Sequence, residues 1–359
     1  MSGLPPVITR EDLRHSPAWF PLGVLDAADQ SVTLLKLDEP AYRAASFLDE
    51  RLLQFPHEKA VCSAEVIVAA AEGLPPPPHY VFHIGHVGST LLSRLIGEHA
   101  DFFSLREPKM LREFAQTAAD AVQAHAPSAN QPMLRLDTVL ALLARTWNPQ
   151  QRPVIKATSF VSELAQAVLG APARPTALFM FADAVNYLRG ILGGANSRLE
   201  AHAMAATRRR RLERRLAPHP SAAGVDAALP VTRSEGEVSA MNWLCEMSTL
   251  HQAALRFPRQ VLWMDFDAFL QAPAAGLDAA LRAFGAAAPA AQIESIVTGP
   301  LMQTYSKAPE YAYDAALRRE VLRAADVEHA AEIRRGIEWL HAAGRRYPSM
   351  AEVLNARRA

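Results

Sequence analysis

The stretch from residue 79 to residue 99 constrains the fold more than any other part of the chain. A hydrophobic strand, His79-Tyr80-Val81-Phe82-His83-Ile84, runs into the turn Gly85-His86-Val87-Gly88-Ser89-Thr90. The turn opens a helix expected over residues 89–99, with Leu91, Leu92, Leu95 and Ile96 on its apolar face. A strand that turns directly into a helix is the first half of a βαβ unit, and the partner strand of such a unit lies parallel. Further strands are expected at residues 102–105, 153–156, 177–181 and 261–264. Helical patterns lie between them at 134–147, 159–169, from Asp183 onward, and at 237–256. The alternation predicts an α/β fold with a parallel sheet flanked by helices.

The turn also predicts chemistry. Backbone N–H groups at a helix N-terminus lack intrahelical partners and carry partial positive charge. Glycines let such a backbone wrap an anion closely, and the hydroxyls of Ser89 and Thr90 add donors where the helix begins. This is a P-loop-type arrangement suited to the 5′-phosphate end of a nucleotide. It lacks the lysine that precedes Ser/Thr in ATPases and GTPases, because Gly88 is followed directly by Ser89. A glycine turn that binds no ligand is the other reading of the same residues.

Composition narrows the partners. Lys+Arg and Asp+Glu both number 37, so no global field draws the chain to nucleic acid or to an anionic membrane. An anion site must be local. No apolar run is long enough to span a bilayer, and the start of the chain has no apolar signal segment. A cytoplasmic enzyme or binding protein is the expectation. Cys62 and Cys245 form no metal or disulfide pattern and are expected as reduced core residues. No metal site is expected.

Residues 1–78 are expected to form an extension that packs on the core, with a strand at 31–37 and one amphipathic helix over 42–55. Pro75 to Pro78 form an extended linker. Residues 79–300 form the core, and 301–359 add a loop and helices to the same domain. The arginines from Arg208 to Arg215 are expected on an exposed, solvated helix face, and residues 218–230 as a mobile loop.

The run His86-Val87-Gly88-Ser89-Thr90-Leu91-Leu92 resembles the loop of the sulfotransferases, which place Lys/Arg-Ser-Gly-Thr-Thr between the first strand and helix. The resemblance covers about residues 80–285. It implies a donor, 3′-phosphoadenosine-5′-phosphosulfate (PAPS), whose 5′-phosphosulfate lies on Gly85, His86, Val87, Gly88, Ser89, Thr90 and Leu91. His86 falls where the family has Lys or Arg against the transferred group. The family's 3′-phosphate site begins with Arg-Asp after the fourth core strand and ends with Ser. Here those positions hold Ala182 and Gly190, with Arg189, Ser197 and Arg198 as candidate substitutes. The strand 261–264 with Asp265, and the helix of Trp243, resemble the family's later elements. A late basic loop, here 304–311 with Tyr305 and Lys307, is implied to close over the nucleotide.

Three strand-end residues are the catalytic candidates: Glu107, His86 and Lys156. Ligands of open α/β sheets bind at the carboxyl ends of the strands. Glu107 there could take a proton from an attacking hydroxyl, and in several sulfotransferase branches a Glu at the corresponding position is the base. Alternatively, Glu107 is a structural partner of Arg106 or Arg112. Lys156 stabilises transferring charge or is a solvated strand end; Thr158 occupies the place of the histidine of the family's cytosolic branch. The expected activity is sulfuryl transfer from PAPS to an unidentified acceptor hydroxyl or amine. The alternatives are a divergent P-loop kinase, in which Asp265 would lie near the loop and serve a metal, and a nucleotide-binding protein without such activity.

Overall fold

The computed structural model describes residues 6–26, 31–120, 134–216, 229–307 and 310–355. The expected mobile loop at 218–230 lies mostly outside them. The N-terminal part contains α1 (Arg10–Arg14), β1 (Trp19–Val24), β2 (Val32–Lys36), α2 (Glu39–Ala44), β3 (Lys59–Cys62) and α3 (Ala64–Ala71). The three strands form an antiparallel sheet in the order β1-β2-β3. Only β2 was expected. β1 carries Pro21 and Gly23 and an irregular register between them, which hid it from a propensity reading.

The helix expected over 42–55 does not form as one piece. α2 ends at Ala44, Ala45 turns to φ −59° and ψ 121°, and a short 3₁₀ turn follows at Glu50–Gln54. The cause is tertiary. The buried guanidinium of Arg106 donates to the carbonyls of Ala45 (2.8 Å), Arg43 (3.1 Å) and Tyr42, which a continuing helix would have used itself. Leu48 N–H then donates to the Arg106 carbonyl at 2.7 Å.

The core begins with β4 (His79–His83), α4 (Ser89–Gly97), β5 (Phe102–Arg106), α5 (Lys109–Asp120), α6 (Leu136–Leu143) and β6 (Arg152–Lys156). It continues with α7 (Ala165–Leu169), β7 (Thr176–Phe181), α8 (Ala184–Leu192), α9 (Ala195–Leu216), α10 (Glu235–Arg256) and β8 (Val261–Asp265). The helix expected over 159–169 is a 3₁₀ turn, Ser159–Leu164, that passes into α7. The five core strands pair in parallel in the order β5-β6-β4-β7-β8. Every residue of β4 and β5 is buried, as in a sheet covered by helices on both faces. The chain leaves β4 toward β5 on one side and later crosses to β7 on the other. A switch of this kind opens a crevice at the carboxyl ends of the strands.

The C-terminal part is helical: α11 (Phe266–Gln271), α12 (Pro273–Ala283), α13 (Ala290–Val297), α14 (Ala315–Glu328), α15 (Ala330–Arg346) and α16 (Pro348–Asn355). Its loop at 304–313 carries a short antiparallel bridge between Thr304 and Ala312. No helix among the described residues is long and apolar enough to cross a membrane. Both cysteines are buried and unpaired.

The basic run is not a solvated face. Arg208, Arg211 and Arg215 recur at helical spacing on the inner side of α9. Arg208 donates to Glu246 at 2.8 Å, with both side chains buried. Arg211 lies 3.6 Å over the Phe160 ring and donates to the Phe160 carbonyl. Arg215 joins Glu163 at 2.6 Å and the Cys245 carbonyl at 2.8 Å. Arg210 is exposed, so the expectation holds only for the outer residues of the run.

Candidate active site

The turn after β4 has three left-handed residues in four: Gly85 (φ 84°), His86 (φ 55°) and Gly88 (φ 61°). At Gly88 glycine is also a steric requirement, because a Cβ would lie 2.0 Å from the Phe266 ring. His86 holds the same backbone region with a side chain, at a cost of about 1–2 kcal/mol. Strain of this kind persists where the surroundings fix it, and functional sites are where it concentrates. His83 helps to fix it. Its Nδ1 accepts from Gly85 N–H at 2.9 Å, and its Nε2 is 2.8 Å from the Ala157 carbonyl. Those partners require a neutral ring protonated on Nε2. Burial, with the Lys156 and Lys307 charges nearby, lowers the ring well below the usual imidazole range and agrees with that state.

Register brings the two charged strand ends together. Arg106 pairs with Lys156 across β5 and β6, and the next N–H, of Glu107, donates to the Lys156 carbonyl at 2.7 Å. Glu107 is left-handed (φ 53°), and its carboxylate forms an ion pair with the Lys156 ammonium. Lys156 has no exposed side-chain surface. Burial lowers its ammonium to about 8, against the opposing attraction of Glu107. The strand end is therefore not solvated, and the partner of Glu107 is neither Arg106 nor Arg112. Arg106 is spent on the carbonyls around Ala45, and Arg112 reaches Asp49 (3.4 Å) and Glu50 (3.8 Å).

Two cavities meet above this floor. One, of about 360 Å³, is lined by the loop from His86 to Leu91, by Gly190, Phe266 and Arg318, and by the 304–307 segment. The other, of about 960 Å³, is lined by Glu107, His83, Gly85, Thr158, Phe160 and Arg208, and by Phe47 and residues 49–51. His86, Ser197, Tyr305 and Lys307 line both. The His86 ring has Ser197 Oγ 3.4 Å from Nδ1 and Glu200 Oε2 3.5 Å from Nε2. Contact with His86 holds the exposed Glu200 carboxyl below its usual range.

The residues expected to replace the missing 3′-phosphate ligands separate here. Ser197 faces the smaller cavity. Arg189 turns to Asp326 (2.7 Å) and Asn186 (2.8 Å), and Arg198 to the Leu192 carbonyl and Glu235. Neither arginine lines the cavity. Ala182 is buried, and its carbonyl accepts from the Trp243 indole at 3.0 Å. Gly190 leaves open space where a side chain would stand.

Sequence reasoning missed Arg318, a buried cation on the wall of the smaller cavity. It lies 4.4 Å over the Phe266 ring and pairs with Asp267 at 2.6 Å. α14 delivers it far from the loop in sequence, and no local pattern marks it. Asp265, the residue a kinase reading needs, caps α11 by accepting from Ala268 N–H at 2.8 Å and lines neither cavity. Among the described residues, no group of three or more His, Cys, Asp or Glu is arranged to hold a metal ion.

No family model matches the sequence, and no curated protein matches it. Solved structures similar to the chain include two sulfotransferases. One is a sulfotransferase domain from the curacin biosynthetic pathway, at 11% identity and a TM-score of 0.39, covering 74% of this chain and 98% of that one. The other is a sulfotransferase from Alicyclobacillus acidocaldarius, at 14% identity and a TM-score of 0.36, covering 74% and 96%.

Proposed function

We propose that the chain transfers a sulfuryl group from PAPS to an acceptor hydroxyl or amine. The observation that supports this reading is the meeting of the two cavities. A phosphate-binding loop opens into the smaller one, a strand-end carboxylate lines the larger one, and His86 and Lys307 stand on both. A donor anion on the loop would face a nucleophile beside Glu107.

The loop fits the donor's 5′-phosphosulfate. Its N–H groups open α4, and Thr90 Oγ1 is buried with no hydrogen-bond partner among the described residues. A buried hydroxyl without a partner is destabilising by about 1–3 kcal/mol, which an anion accepting from it would relieve. Arg318 and Ser197 are the groups on the same wall suited to the second phosphate.

In the transfer step the acceptor oxygen or nitrogen attacks sulfur, and the bond from sulfur to the 5′-phosphate oxygen breaks. The electron pair of that bond leaves on 3′,5′-adenosine bisphosphate, whose phosphate stays against the loop. The acceptor's proton passes to Glu107. Lys156, buried behind Glu107 and lining neither cavity, orients the carboxylate through their ion pair.

The test is release of 3′,5′-adenosine bisphosphate from PAPS with a panel of phenols, alcohols and amines. Acceptor-dependent release by the wild type, abolished in Glu107→Gln, is expected. Release that persists unchanged in Glu107→Gln would remove the base from the mechanism. No release with any acceptor, together with no binding of the bisphosphate, would remove the donor.

A further inference from the structure

The break in the N-terminal helix at Ala45 places a short segment where three parts of the site converge. Arg94, on the helix that the phosphate loop opens, donates to Ser46 Oγ at 2.9 Å and to the Ala44 carbonyl at 3.0 Å. Ser46 Oγ in turn donates to the Ser306 carbonyl at 3.1 Å, one residue before Lys307. The next side chain, Phe47, is half-buried on the wall of the larger cavity. The Lys307 ammonium lies 5.8 Å from its ring centroid, and the Arg51 guanidinium packs on the same ring at 3.3 Å. Arg51 is itself held by the buried carboxylate of Asp49. Lys109 N–H, just after Glu107, donates to the Leu48 carbonyl at 3.0 Å.

From this we infer that Phe47 is the positioning residue for Lys307, and that the N-terminal part of the chain completes the active site. The ring attracts the ammonium through its π face, and Ser46 fixes the backbone beside it. Together they hold residues 304–307 where Lys307 faces both cavities. Beside them, Tyr305 N–H donates to the Tyr311 carbonyl (2.8 Å) and Tyr313 N–H to the Gln303 carbonyl (3.0 Å). The catalytic consequence rests on the sulfuryl-transfer reading. The tether itself does not.

Amide hydrogen exchange at Tyr305 and Tyr313, in the full chain without ligand, tests the tether. Phe47→Ala and Ser46→Ala are each expected to speed that exchange about tenfold, whereas Phe47→Tyr, which keeps a π face, leaves it near wild type. Calorimetric binding of 3′,5′-adenosine bisphosphate tests the consequence. Phe47→Ala is expected to weaken it about fivefold, and to have no further effect in a Lys307→Ala background. Unchanged loop exchange in both alanine variants would overturn the tether, as would additive losses in the double variant. If exchange responds while the wild type binds no bisphosphate, the tether stands and the donor assignment falls. If the bisphosphate binds and exchange does not respond, the donor assignment stands and the tether falls.

Discussion

Replacing Glu107 by Gln isolates the ion pair at the floor of the site. The substitution keeps the side chain's size and removes its charge, leaving the Lys156 ammonium with no exposed surface and no counter-charge. Removing one partner of a buried pair is destabilising by about 3–5 kcal/mol. The pH dependence follows from Lys156. Its folded value, about 8, is below the unfolded lysine value, so the unfolded chain binds more protons between about 8 and 10.4. Stability from this group therefore rises with pH across that window, by about 3 kcal/mol in all. In Glu107→Gln the stabilising attraction is gone and the ammonium sheds its proton at lower pH. Urea unfolding at pH 7 and pH 9 is the assay. The variant is expected to lose about 3–5 kcal/mol at pH 7 and less at pH 9. Glu107→Gln/Lys156→Met, which replaces the pair with neutral groups, is expected to recover most of the loss. A deficit below about 1 kcal/mol at pH 7, the range of a solvated pair, would refute the buried ion pair.

Three further substitutions probe other parts of the site. Gly88→Ala puts a Cβ 2.0 Å from the Phe266 ring at a left-handed backbone position; melting and calorimetry are expected to show about 2–5 kcal/mol of destabilisation and loss of bisphosphate binding. Arg318→Ala removes the buried cation of the smaller cavity; calorimetry is expected to show binding of 3′,5′-adenosine bisphosphate weakened about tenfold or more. Arg208→Ala leaves Glu246 buried without its guanidinium; denaturant unfolding is expected to show a loss of about 3–5 kcal/mol, against about 0.5 kcal/mol or less for the exposed Arg210→Ala.

The parts of the fold legible in the sequence are those set by local pattern. The strand, turn and helix around Gly85 to Ile96 are contiguous, and their apolar spacing and glycines determine each other. The five core strands announce themselves as short apolar runs for the same reason. The Glu107–Lys156 pair was not legible, because it depends on the register that sets Arg106 opposite Lys156. Each residue was a candidate alone, Glu107 with Arg106 or Arg112 as its alternative partner and Lys156 with a solvated strand end as its alternative. Arg318 reaches the site only through the packing of α14. The broken helix at Ala45 depends on a guanidinium from β5 that takes its carbonyls. The arginines of α9 are a different case. Positions 208, 211 and 215 lie on one helical face, and that spacing was available to distinguish the buried members of the run from the solvated ones.

The proposed function requires the smaller cavity to take a nucleotide with a second phosphate in place of the usual P-loop triphosphate. Calorimetric titration of the wild type with 3′,5′-adenosine bisphosphate, 5′-AMP and ATP–Mg tests it most directly. The bisphosphate is expected to bind at least about tenfold more tightly than either of the others, the value of one or more charge-assisted hydrogen bonds. Equal affinity for the bisphosphate and 5′-AMP, or a preference for ATP–Mg, would contradict it.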